Sequence, residues 1–240
     1  QSSKEFGAIC KNYNEVKSFL YKNGKISGVK VYDKIKDETY EVESSVVINA
    51  TGAFSDDIRT LDDTEAKKML DLSSGIHIVI DKKYLPNNEG LMIPKTEDGR
   101  VLFILPWMDK CLVGTTDEKT TLNEHPEVKE ADIDYILKHL EIYFDLEIKK
   151  EEILSSWCGI RPLVAPDKNA STSSIVRDHV ISSSESGLVS IIGGKWTTYR
   201  KMAQEVVEYI NKEFDLNLSK CKTKKLKLVG SQKFDKNLEI

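Results

Sequence analysis

Residues 190–200 read SIIGGKWTTYR, and their reading decides the fold. The apolar run that ends at Ile192 stops at two glycines, and Met202, Val206, Tyr209 and Ile210 then recur at helical spacing. A strand therefore enters a helix through Gly193 and Gly194. The helix is expected from about Thr197 to Phe214, with Thr197 or Thr198 as N-cap. Its first N–H groups lack intrahelical partners, glycines let a ligand come close to the backbone, and the helix dipole together with Lys195 favours negative charge there. Simple structural punctuation and an electron-rich ligand edge both account for the pattern. A P-loop does not, because Val189 stands where its first glycine is required and Trp196 follows the lysine. No G-x-G-x-x-G occurs either.

Working outward, residues 19–33 suggest a hairpin turning at Asn23-Gly24, and 41–49 a strand that becomes wholly apolar before Ala50-Thr51-Gly52-Ala53. Residues 62–71, acidic early and basic late, read as a short helix or lid. Strands are expected at 76–80, 91–94, 101–107 and 111–117, with turns at Glu97-Asp98-Gly99 and near Asp109-Lys110. A helix over 131–144 presents Ile133, Ile136, Leu137, Leu140 and Phe144 on one side and leaves His139 among charged neighbours at the surface. Residues 155–167, rich in Gly and Pro, read as a shaped loop; 175–182 and 188–192 read as strands around a Ser-rich turn. The basic stretch after 216 reads as an extension or linker. The whole is an α+β arrangement whose middle is a mixed or antiparallel sheet rather than repeated βαβ units.

Bulk properties exclude several classes. With 35 basic and 39 acidic residues interspersed among 240, the net charge of -4 offers no footprint for nucleic acid. Cys10, Cys111, Cys158 and Cys221 are too scattered for a metal cluster or disulfide framework and read as free thiols in a reducing compartment. No apolar run reaches a membrane span, and the first residues do not resemble a secretion signal. The lack of an initiator methionine suggests a segment of a longer protein.

Three sites carry chemistry in unusual company. Arg161, in GIRPL, either clamps a phosphate or carboxylate or ties down its loop through carbonyls. Arg177 and His179 alternate along one strand face, suited to an anion and a proton shuttle or to a structural ion pair. His77, in an apolar strand, is either a satisfied core histidine or a base for an alcohol proton.

NATGAFSDDIR, GIHIVI, LPW with GTTD, WCGIRPL, SSIVRDH and GLVSIIGGKWTTYRKMAQ, in this order over roughly residues 7–210, resemble the FAD-dependent glycerol-3-phosphate dehydrogenase family of mitochondria and aerobic bacteria. The resemblance implies part of a glutathione-reductase-type FAD domain over 1–60 and 183–215, a substrate domain over 61–182, and an extension over 216–240. It implies FAD contacts from Ala50, Thr51, Gly52, Gly193, Gly194, Lys195 and Thr197. His77, Arg161 and Arg177 would be catalytic, and these three with Lys195 would bind glycerol 3-phosphate. Electrons would pass to a quinone at the mitochondrial inner membrane, or at the cytoplasmic side of a bacterial membrane. Peripheral attachment and homo-oligomerisation are left to the parent protein. A related oxidase, another amino-acid-oxidase-like flavoenzyme and a non-catalytic anion-binding domain are the alternatives. Two departures stand out: Ala53-Phe54 replaces the family's Pro-Trp, and Cys158 replaces a small apolar residue. The family's initial Gly-rich ADP-binding unit is not in this sequence, so the isolated segment is expected to be inactive.

Overall fold

The computed structural model describes residues 1–85, 87, 89–165 and 179–231. In chain order these form α1 (Ser2–Glu5), β1 (Asn14–Lys22), β2 (Lys25–Asp33), β3 (Glu38–Glu43), β4 (Val47–Asn49) and α2 (Ser55–Asp62). There follow β5 (Leu70–Asp81), β6 (Leu91–Ile93), β7 (Leu102–Trp107), β8 (Lys110–Gly114), β9 (Glu118–Lys119) and α3 (Glu130–Phe144). The last elements are β10 (Ser155–Val164), β11 (His179–Ser183), β12 (Leu188–Gly193) and α4 (Tyr199–Glu213). Packing divides them into two units, one comprising the chain up to Leu70 and from Leu163 onward, the other Asp71–Pro162. β11 pairs along its length with β12, from His179 opposite Gly193 to Ser183 opposite Val189.

In the first unit, β1, β2 and β3 form an antiparallel sheet, and β11, β12 and β4 a mixed one. β12 and β4 are parallel, with Ser190 beside Asn49. The continuous burial of β12 follows from cover on both faces. Val189 and Ile191 pack with Val206 and Ile210 of α4, while Asn49 and Ser190 share hydrogen bonds toward α2.

Asn49, only 2% exposed, holds the turn after β4. Its amide donates to the Ser55 carbonyl at 2.9 Å and the Ser190 hydroxyl at 3.2 Å, and its carbonyl accepts from the Thr51 N–H at 3.3 Å and hydroxyl at 2.7 Å. Removing it leaves buried polar groups unpaired. Asn49→Ala is expected to destabilise this unit by about 3 kcal/mol, seen as a lower urea midpoint; an unchanged midpoint would show that the network is dispensable.

The second unit is an antiparallel-rich sheet ordered β10-β5-β8-β7-β6, with β9 beside β5. Ile76, Ile78 and Ile80 alternate toward one face, where Leu102, Ile104, Cys111 and Val113 meet Ile136 and Leu140 of α3. His77 therefore lies on the opposite face.

Three local expectations are corrected. The helix after β4 is Ser55–Asp62 rather than 62–71: Asp56 accepts hydrogen bonds from the Met69 and Leu70 N–H groups, and Arg59 donates to the Lys67 carbonyl, so 63–69 folds back as a loop. Residues 155–164 form a strand rather than a loop. His139 is buried, 6% exposed, because its ring packs between Tyr135 and Tyr143 and Nδ1 meets the Tyr135 carbonyl at 2.7 Å. Among the described residues, no helix is long and apolar enough to cross a membrane.

Candidate active site

The two units each carry part of the candidate chemistry. In the first, β4 and β12 run parallel, so the loops leaving their carboxyl ends, Ala50–Gly52 and Gly193–Lys195, emerge on the same side. Such crevices are where open α/β sheets bind ligands. Gly52, Gly193 and Gly194 have φ of 60°, 79° and 76°, conformations natural to glycine. A Cβ on Gly52 would meet open space, so its backbone is accessible to a ligand.

The turn Trp196–Thr198 is 3-10, and α4 begins only at Tyr199, with Thr198 as N-cap. Thr198 is thus the N-cap of the two expected, and the α-helix proper starts two residues after Thr197. The Thr198 hydroxyl donates to the Lys195 carbonyl at 2.9 Å and makes no side-chain cap. The Thr198 and Tyr199 N–H groups bond the Lys195 and Trp196 carbonyls, so the donor capacity beside the ammonium of Lys195 lies at the start of the 3-10 turn, in the N–H groups of Trp196 and Thr197. Thr197 is exposed, and Trp196 is 89% exposed.

His179 pairs with Glu205 of α4, Nε2 to Oε2 at 2.6 Å, which is the structural ion-pair reading of that residue. Arg177 lies outside the described residues. A separate cavity of about 820 Å³ lies at the amino end of β12, lined by Arg59, Asp62, Lys67 and Ser182–Ser186. It contains none of the candidate residues. Several of its polar groups already satisfy one another, Asp62 with Ser186 and Tyr21, and Arg59 with the Lys67 carbonyl.

In the second unit, β5 brings His77 opposite Gly114 of β8, which in turn lies opposite Phe103 of β7. The imidazole lies over Gly114, where a Cβ would collide with its ring. It stacks on Trp157 with centroids 5.6 Å apart at 18° and tilts against Phe103 at 5.7 Å. Burial among these rings, and then the charge of Arg161, push its pKa below the usual histidine value. The neutral form of the His77 imidazole is therefore favoured. No hydrogen bond from another described residue occupies its ring nitrogens.

Trp157, Gly159 and Arg161 alternate along β10 onto one face. The guanidinium of Arg161 covers Gly75, where a Cβ would strike Nη1 and Nη2. Nη1 donates to the Thr116 carbonyl at 3.0 Å and to Asp117 Oδ1 at 3.5 Å, and Nη2 donates to Thr115 Oγ1 at 2.6 Å. Both sequence readings of Arg161 thus have structural content: it ties down residues 115–117, yet Nε–H and the second Nη2–H meet no acceptor among the described residues. Two donors on one planar group suit two oxygens of an anion.

The structure brings His77 and Arg161 onto one face, whereas Lys195 belongs to the first unit. Sequence reasoning missed Trp157, Thr115 and the glycines under the two side chains. The i, i+2, i+4 spacing of Trp157, Gly159 and Arg161 would have revealed the first, once 155–164 was taken as a strand.

Residues 2–200 match the family described as FAD dependent oxidoreductase. The chain belongs to that family. It is 41% identical over 247 residues to the mitochondrial glycerol-3-phosphate dehydrogenase of Mesocricetus auratus and 40% identical to the human one, covering all of this chain and 34% of each relative. The glycerol-3-phosphate dehydrogenase of Bacillus halodurans, solved with FAD, superposes with a TM-score of 0.79 at 33% identity, over 91% of this chain and 42% of that one. The chain thus spans about a third of the length of the curated relatives it matches. An L-proline dehydrogenase from P. horikoshii, 21% identical with a TM-score of 0.57 over 88% of this chain and 53% of that one, shares the fold alone.

Proposed function

We propose that this chain is the substrate-binding and flavin-contacting part of an FAD-linked glycerol-3-phosphate dehydrogenase. The observation that carries the reading is the pairing on one sheet face of the His77 imidazole, favoured in its neutral form, with Arg161, two of whose donors meet no acceptor among the described residues. An alcohol that also bears a phosphate needs both groups.

The residues of the first unit fit FAD. Gly52 offers open backbone, and the glycine pair Gly193-Gly194 leads into a 3-10 turn whose first N–H groups lie beside Lys195, a set suited to the electron-rich edge of a flavin. Ala50, Thr51, Gly52, Gly193, Gly194, Lys195 and Thr197 would hold it. When bound, FAD supplies the acceptor for the hydride from C2 of glycerol 3-phosphate and the route for two electrons to a quinone. Arg161, with Arg177 and Lys195, would bind the phosphate and orient the hydroxyl. His77 would accept the hydroxyl proton as C2 becomes the carbonyl of dihydroxyacetone phosphate.

The relatives named mitochondrial support a mitochondrial location in a eukaryote; the mitochondrial inner membrane, or the cytoplasmic side of the membrane in a bacterium, is the site proposed. The functional boundaries proposed are an FAD domain over 1–60 and 183–215 and a substrate domain over 61–182.

The test is anaerobic titration of the complete polypeptide with glycerol 3-phosphate and, separately, glycerol. Bleaching of the oxidised flavin band near about 450 nm by the phosphorylated compound alone is the expected result. A protein without flavin, or one reduced equally by glycerol, would overturn the assignment.

A further inference from the structure

We propose that Thr115 is a positioning residue that aims Arg161 at the anion of the substrate; the inference rests on the functional reading above and deepens it. Residues 114–117, GTTD, close β8 in an unusual way. The Thr116 hydroxyl accepts from the Ile76 N–H at 3.1 Å, and the Thr115 hydroxyl lies 3.1 Å from the Ile76 carbonyl. Two consecutive threonine side chains thus clasp both polar groups of the residue that precedes His77.

The consequence for Arg161 follows from the chemistry of a hydroxyl, which has one proton and two lone pairs. The proton of Thr115 Oγ1 is directed to a carbonyl, that of Ile76 or of Thr116, each at 3.1 Å. A lone pair is therefore turned toward Nη2 of Arg161, at 2.6 Å. With Nη1 already committed to the Thr116 carbonyl and Asp117, the plane of the guanidinium is fixed by three acceptors from one short segment. Among the described residues Nε–H and the second Nη2–H meet no acceptor, which leaves them to the ligand. Gly75 completes the seat, because a side chain there would lift the guanidinium off the sheet.

An arginine has enough rotamer freedom to forfeit much of its binding energy unless something holds it. Asp117, exposed and at 3.5 Å, is the weakest of the three acceptors and offsets the charge of Arg161 only slightly. Thr115 is the neutral, short contact that orients without cancelling charge.

The experiment compares wild type, Thr115→Val, Thr115→Ser, Arg161→Ala and the Thr115→Val/Arg161→Ala double variant of the complete FAD-loaded polypeptide. KM and kcat are measured with glycerol 3-phosphate, and the dissociation constant of inorganic phosphate is measured by calorimetry. Thr115→Val is expected to raise KM and the phosphate constant on the order of tenfold, with kcat within about twofold. Thr115→Ser should restore both constants. The double variant should lose no more than Arg161→Ala alone, since Thr115 acts through the arginine. Additive losses, or a serine variant as impaired as the valine one, would overturn the positioning role. Should the valine variant fail to fold, Thr115→Ala with and without Arg161→Ala tests the same coupling. A wild type that glycerol 3-phosphate does not reduce would instead sink the functional reading.

Discussion

Arg161→Lys in the complete polypeptide is expected to lower kcat/KM for glycerol 3-phosphate by about a hundredfold, mostly through KM. Lysine keeps the charge, so the prediction isolates geometry. In the wild type, Nη1 and Nη2 reach residues 115–117 over Gly75, while the two donors left over remain coplanar with those bonds. An ammonium has no plane and cannot hold three protein acceptors and two ligand oxygens together. Losing one of two charge-assisted hydrogen bonds, and the orientation of the other, removes about 2–3 kcal/mol, which corresponds to the stated ratio. Steady-state kinetics of both proteins at saturating acceptor would measure it. A loss below about threefold would mean that Arg161 serves only to tie down the 115–117 segment, with the fork geometry irrelevant to binding.

The parts of this site that were legible in the sequence are those marked by backbone demands. Gly193 and Gly194 announced a strand-to-helix passage because positive φ is cheap only for glycine, and the apolar run before them announced a strand covered on both faces. The stripe Met202, Val206, Tyr209 and Ile210 likewise lies against β12 or its cluster. What escaped were elements specified by distant partners. Residues 155–164 carry Gly159 and Pro162, and their local preference suggests a loop; the sheet overrides it by placing them beside β5. Residues 62–71 have a helical charge order, but the carboxylate of Asp56, fixed on α2, captures the N–H groups of Met69 and Leu70. His139 has charged neighbours in sequence and aromatic neighbours in space.

The same distinction explains the division of labour at Gly75 and Gly114. Neither glycine has a positive φ, so backbone freedom is not why they matter. Each removes a side chain from beneath a functional group on the adjoining strand, Arg161 in one case and His77 in the other. A sheet that places arginine and histidine on one face needs such gaps if both groups are to lie flat. This requirement becomes visible only once the register is known.

His77→Asn is expected to reduce kcat by roughly a thousandfold, within the range general-base catalysis supplies, while leaving KM within a few-fold. The accompanying pH dependence has a definite sign. Burial against Trp157 and Phe103, then the charge of Arg161, lowers the histidine pKa in the free protein. Acting as the proposed base, His77 would be unprotonated at neutral pH, and kcat/KM should hold its plateau below the ordinary histidine value before falling with further acidification. Arg161 is the charged group named beside His77, and the ring contacts from Phe103 and Trp157 carry no charge. A bound phosphate dianion would offset Arg161 and favour imidazolium, so the acid limb of kcat should lie at higher pH than that of kcat/KM. Trp157→Ala admits water to the imidazole and should move the free-protein limb upward in the same direction. Log kcat and log kcat/KM against pH, measured for wild type and both variants, decide the matter. If His77→Asn retains the acid limb of the wild type, the titrating base is another group, and the lowered pKa of His77 reflects only its apolar setting.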